Sequence, residues 1–173
     1  GNIILGASNI STGGTALIDS TLGSINGSGS VTAGTADFRA ATGIGNSGAV
    51  ATVVDTLAFD NSSSNAVNVA NTMASGLTVS GSNTGANTTI LENSGNITLG
   101  VTGISSAGSA LIDSTSGSIN GAGSITAATA DLRAASGIGN SGVLSIIVDT
   151  LAFDNSSSNV VAISNTRASG LAV

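Results

Sequence analysis

The segment "SITAATADLRAASGIGNSGVLSIIVDTLAF", Ser124–Phe153, holds two apolar pairs at one spacing. Ile125 and Ile146 stand 21 residues apart, and so do Leu132 and Phe153. Upstream, Ile104 and Leu111 extend both series by another 21. A looser third series runs Ile97, Ile119 and Ile138, at steps of 22 and 19. Between these anchors the letters alternate as strands do. Leu144, Ile146 and Val148 share one direction, a corner follows at Asp149 and Thr150, and Leu151 and Phe153 resume. Gly, Asn and Ser crowd the gaps, where positive φ and side-chain-to-backbone bonds are needed. No stretch offers the apolar stripe of a helix, and Thr, Val and Ile favour strands. The expected fold class is all-β: a right-handed parallel β-helix (β-solenoid) with about 21 residues and three short strands per coil.

Working outward, a longer repeat contains this one. "LAFDNSSSN" occurs at Leu57–Asn65 and again, unchanged, at Leu151–Asn159. A shift of 94 aligns Gly1–Val79 with Gly95–Val173 without a gap, and 55 of the 79 positions are identical. In the first copy Ile10, Val31 and Thr52 keep the spacing of 21, with Leu17, Phe38 and Phe59 alongside. The swaps Val31/Ile125, Phe38/Leu132, Val53/Ile147 and Val69/Ile163 stay apolar and are expected inside. Met73/Arg167 and Asn9/Gly103 change character and are expected at the surface.

The organisation expected is a first unit over 1–94, of about four coils, with a loop near 80–89 ("SGSNTGANTT"). A second, incomplete unit over 95–173 continues it as one solenoid. At the stacking distance of parallel strands, four coils advance roughly 19 Å. In the repeated phrase Leu57 and Phe59 point inward, and the polar corner that follows stacks with its neighbours as ladders of like residues do.

Composition narrows the function classes. The chain has 25 Gly and three Phe, and lacks Pro, Cys, His, Lys, Trp and Tyr. Charged residues make up 7%, against about 25% in an average soluble domain. Absence of Pro suits a chain whose N–H groups are needed in ladders. A net charge of −6 disfavours nucleic acid and anionic membranes, which call for clustered Lys and Arg. Without Cys there is neither disulfide nor thiolate metal site. No run approaches the roughly 18 apolar residues of a membrane span, so no membrane insertion is expected. The sequence opens in mid-pattern without a signal peptide, as an excised piece of something longer would.

"GSINGAGSITAATADLRAASGIGNSGVLSIIVDTLAF", followed by "NVVAISNT", resembles the β-solenoid repeats of filamentous haemagglutinin-like large exoproteins. In those repeats "I-x-G-x-G-x-I-x-A", "L-x-A-x-x-GIG" and "I-x-N" phrases succeed one another, and the likeness covers almost the whole chain. It implies a parallel β-helix in a protein secreted by Gram-negative bacteria and acting as a surface stalk or adhesin.

Motifs that could carry chemistry are few. "GIGNSG" at Gly43–Gly48 and Gly137–Gly142 satisfies G-x-G-x-x-G. The dinucleotide fingerprint also needs a helix after it, and here a β-branched run follows, so these read as turn glycines. Nine acids are present: Asp19, Asp37, Asp55 and Asp60, their mates Asp113, Asp131, Asp149 and Asp154, and Glu92. A β-helical polysaccharide-cleaving enzyme would cluster carboxylates, usually with a basic partner. Acids repeated with the fold suit corners that bond their own backbone better.

Asp37-x-Arg39 and Asp131-x-Arg133 place opposite charges on one strand face, as surface pairs. The sequon N-x-[ST] occurs at Asn9, Asn26, Asn61, Asn87, Asn96 and Asn155. No Thr-x-Thr occurs, which disfavours an ice-binding face.

The expectation is therefore a non-enzymatic structural rod of a secreted bacterial surface adhesin, located outside the cell. Neither catalytic, cofactor-binding nor metal-binding residues are assigned, and no cofactor is expected. The expected partners are further copies of the repeat, in the same chain or stacked end to end, with host or matrix glycans as the alternative.

Overall fold

The computed structural model describes all 173 residues, and every regular element in it is a β-strand. Parallel coils of about 21 residues stack into a solenoid of about 8 turns. The expected first series is a true column: Ile104 pairs with Ile125 and Ile125 with Ile146, all buried. So is the third, with Ile97 on Ile119 and Ile119 on Ile138. In the first copy Ile10 lies on Val31 and Val31 on Thr52.

The remaining column needs a correction by one residue. Leu132 stacks on Ile112, not on Leu111, and Phe38 stacks on Ile18, not on Leu17. Ile112 is wholly buried, whereas Leu17 is 56% exposed. Adjacent strand residues point to opposite faces, so a corner one residue shorter decides which apolar neighbour is inside. In "ALIDS" the other inward residues are Ala110 and Ser114, too small to mark the face. Ile112→Ala should then lower stability by about 2–5 kcal/mol, and Leu111→Ala by less than about 1 kcal/mol, read from urea unfolding. Val53 and Ile147, expected inside, are half-buried on the outer face; Val54 and Val148 beside them are the buried pair.

Each coil has two sides. In coils 1 to 3 the front side is one unbroken run, as in Thr15–Ser20. The back side is split in two around a polar turn, as in Ile3–Leu5 and Ile10–Ser11. This makes three strand segments per coil, as expected. The strands Ser30–Ala40 and Val50–Asn61 run from the back side onto the front.

The expected loop over 80–89 is not there. Leu77–Asn83 and Thr88–Glu92 are strands, and only four residues separate them. These strands pair in different stacks: Leu77–Asn83 on the front with Thr56–Asn61, and Thr88–Glu92 on the back with Val67–Asn71. The segment looked irregular because it holds half a coil more than the others.

That half coil turns the second copy round. Phe38 lies in the front column Ile18–Phe38–Phe59–Gly81–Ile104–Ile125–Ile146. Its mate Leu132 is absent from that column. Leu132 lies on the back, in the column Val50–Val69–Ile90–Ile112–Leu132–Phe153. Likewise Ile25 lies on the back between Ile3 and Ile44, while its mate Ile119 follows Ile97 on the front. The unit of 94 residues is thus about four and a half coils of about 21, not four. Identical sequences face opposite ways, and the advance per unit is about 22 Å at a strand spacing of about 4.8 Å.

One apolar core of 35 buried residues runs through both copies without a break. At Gly81 a Cβ would collide with the carbonyl and ring of Phe59, which occupies the space a side chain would need. Polar residues enter the core only at the edges, where they stack. Asn61 lies between Ala40 and Asn83, and Asn71 between Thr52 and Glu92. Asn61 Nδ2 donates to Asn83 Oδ1 at 2.8 Å and Asn71 Nδ2 to Glu92 Oε2 at 2.6 Å. No buried side-chain nitrogen or oxygen lacks a partner, as a thin core requires.

In the repeated phrase, Leu57 and Phe59 do point inward. Asn61 then holds the corner, donating to the carbonyls of Ser64 and Asn65. Asn65 closes the corner with φ 67°, a left-handed conformation that Asn tolerates.

Candidate functional site: charged rows on opposite sides

Parallel pairing in register stacks outward residues into rows just as it stacks the core. On the front, Asp19, Arg39 and Asp60 occupy successive coils. Asp37 flanks Arg39 two residues away on the same strand face. The Arg39 guanidinium donates Nε and Nη2 to the two Asp37 oxygens, at 3.3 and 2.6 Å. On the back, Asp113, Arg133 and Asp154 form the same row, with Asp131 taking the same two bonds at 3.2 and 2.6 Å.

Each copy therefore displays three carboxylates around one Arg. The two displays lie half a turn and about 22 Å apart along the axis. The Asp37 hydrogen bond, then its charge, raises Arg39 above the ordinary guanidinium value; Asp131 does the same to Arg133. Burial raises Asp113, opposed by the charge of Arg133.

A groove of about 600 Å³ opens on the front beside the first display. Asp37, Arg39, Asp60 and Ser82 line one part of it, Thr102 and Ser105 another. The groove lies where the unbroken strand Leu77–Asn83 is covered by Ile97–Ser106, whose pairing shifts between Leu99 and Ile104. It is a product of the change from unbroken to split side. Sequence inspection missed it because its residues come from four coils.

A row of five threonines also runs up the front: Thr15, Thr35, Thr56, Thr78 and Thr98. A spacing of 20 to 22 residues is its signal in the sequence, a faint one because the row is polar and lies outside the apolar columns. The row is one residue wide, as the absence of Thr-x-Thr requires.

The repeated aspartates, expected to hold corners by bonding their own backbone, do not do so. Asp55 accepts from Ser75 Oγ at 2.7 Å and Asp60 from Ser82 Oγ at 2.6 Å, each donor one coil on. Asp149 accepts from Ser169 at 2.7 Å and takes both Arg167 bonds, at 2.8 and 2.6 Å. Axial stacking places a hydroxyl of the next coil beside each of these three aspartates. Glu92 is wholly buried. No three acidic side chains converge on one point suited to a metal ion.

The "GIGNSG" glycines build the turn of a split side. Gly43, Gly45 and Gly48 have φ of 105°, 71° and 145°, and the strand Val50–Asn61 follows. The helix that dinucleotide binding needs is absent.

Arg167 and Ser169 hold Asp149 below the usual carboxylate range, the Arg167 hydrogen bond contributing most. A lowered folded-state value stabilises the fold above the unfolded-state pKa. That contribution is lost as pH falls through the folded-state value. Arg167→Met, which installs the residue found at Met73, should lower the urea midpoint at about pH 7. The difference from the parent chain should shrink as pH falls through the folded-state value of Asp149.

Comparison with protein-family models, curated proteins and solved structures finds no match to the chain. The fold alone places it, as a β-solenoid repeat protein.

Proposed function

We propose that the chain is a non-enzymatic rod segment of a secreted bacterial surface adhesin, exposed outside the cell, as its likeness to haemagglutinin-like exoproteins implies. The observation that carries the reading is the unbroken axial bonding. One core and its backbone ladders cross the boundary between copies with no hinge and no orphaned buried polar group. Such a structure resists bending because each coil is bonded to the next along its whole length. Its partners on this reading are further copies of the repeat, in the same chain or stacked on it.

Antibody raised against the folded chain should label filaments on intact bacteria that carry the parent gene, and brief protease treatment of whole cells should remove the label. Labelling only after lysis would overturn the reading.

A second reading, a glycan-binding face, draws on the groove beside Asp37 and Arg39. A glycan array with the purified chain separates the two. Saturable binding abolished by Arg39→Ala supports recognition, and an empty array supports a plain rod.

A further inference from the structure

The six N-x-[ST] sequons do not stand alike in the fold, and the difference lies in one atom. Attachment of an N-linked sugar needs the Asn Nδ2 to be reachable and free of intramolecular acceptors, while Oδ1 plays no covalent part. Asn61 is wholly buried, and its Nδ2 serves the carbonyls of Ser64 and Asn65 and the Oδ1 of Asn83. Asn155 spends its Nδ2 on the carbonyls of Ser157 and Asn159. Asn26, half-buried, donates to Ser24 Oγ at 2.7 Å.

The other three are exposed and built the opposite way. Each stands just before a strand and uses only Oδ1, accepting a backbone N–H from the next coil. Asn9 accepts from Ser30 at 3.1 Å, Asn87 from Ser109 at 2.9 Å and Asn96 from Ser118 at 2.9 Å. Their Nδ2 atoms make no bond within the protein. The axial bond fixes each amide, oxygen inward, so that its nitrogen faces solvent.

We propose that Asn9, Asn87 and Asn96 are sites of N-linked glycosylation on the folded solenoid, and that Asn26, Asn61 and Asn155 are closed to it. In the reaction Nδ2 attacks the anomeric carbon of a nucleotide-activated hexose. A C–N bond forms, the bond from that carbon to the diphosphate oxygen breaks, and the nucleoside diphosphate departs. The amide loses one proton, taken up by the transferase or solvent. The second N–H and Oδ1 remain, so the bond to the next coil survives. Sugars would decorate the rod at its edges without disturbing the stack. This inference does not depend on the adhesin reading, since it concerns only which amides are free.

The test uses the purified folded chain, a soluble sequon-specific N-glycosyltransferase and its nucleotide-activated hexose, with peptide mapping by mass spectrometry. Synthetic peptides carrying each of the six sequons serve as references for intrinsic acceptance. The expected result is hexose on Asn9, Asn87 and Asn96 of the folded chain, and little or none on the other three, although the six peptides are accepted comparably. Ser11→Ala, Thr89→Ala and Thr98→Ala should each erase modification at the matching Asn alone. The glycosylated chain should keep its melting midpoint.

Occupancy of Asn61 or Asn155 equal to that of Asn87 would overturn the assignment. So would a folded chain left unmodified at all three sites whose peptides are accepted, or a melting midpoint that falls on modification.

Discussion

Asn61→Ala is expected to lower the stability of the chain by about 3–5 kcal/mol, and Asn155→Ala by about 1 kcal/mol, although both residues sit in the same nine letters. Asn61 is wholly buried. Its Oδ1 accepts the Gly43 N–H at 2.8 Å, and its Nδ2 serves two corner carbonyls and Asn83. Truncation leaves the buried Gly43 N–H without an acceptor, takes one of two donors from Asn83 Oδ1, which keeps the Gly85 N–H, frees two corner carbonyls and opens a cavity in the ladder. Each buried orphan costs about 1–3 kcal/mol, part of which local relaxation recovers.

Asn155 makes only the corner bonds, to Ser157 and Asn159. Its strand pairs with the coil below, and above it only Thr150 is bridged, to Ala172. Water can replace what alanine removes there. Urea unfolding of both variants, with tryptophan-free far-ultraviolet circular dichroism as the readout, checks the pair. Equal losses would mean that the corner, not the axial ladder, holds the phrase constant.

Glu92 carries the second large effect. It is wholly buried and receives four donors. Oε2 accepts from Asn71 Nδ2 at 2.6 Å, and Oε1 from the N–H groups of Met73 and Ser94 at 3.2 and 2.9 Å and from Ser94 Oγ at 3.2 Å. A carboxylate only accepts, so every contact is matched. Glu92→Leu keeps an apolar volume but orphans two backbone donors and the Asn71 amide; it should cost about 3–5 kcal/mol.

Glu92→Gln replaces one acceptor oxygen by an NH₂ that must face a donor, and should cost about 1–3 kcal/mol. The order Leu worse than Gln, by urea midpoint, is the discriminating result. A neutral or stabilising Leu variant would show that burial of the charge outweighs its bonds.

Much of this fold was legible in spacing alone. Ile104, Ile125 and Ile146 stack because bulky β-branched residues recur once per coil, and few other arrangements bury them all. Where the letters were less distinctive the reading slipped. Leu111 and Ile112 are equally apolar neighbours, and only the length of the following corner puts Ile112 inside. The segment 80–89 reads as a loop because its letters are polar, yet both its ends are strand: Leu77–Asn83 pairs with Thr56–Asn61, and Thr88–Glu92 with Ala110–Ser114. The charged display was half legible. Asp37 and Arg39 are two apart in sequence, whereas Asp19 and Asp60 join them only through register.

By itself the sequence determined that the chain winds in coils of about 21 residues, all strand, with Gly, Asn and Ser at the corners. The reason is local: alternation, turn chemistry and a recurring apolar letter act within one coil. The tertiary structure decided the phase. A unit of 94 residues ends half a coil past a whole number, so the second copy of each phrase faces the opposite side of the rod. That result depends on the sum of every corner length along the unit, which only the closed hydrogen-bond ladder can count.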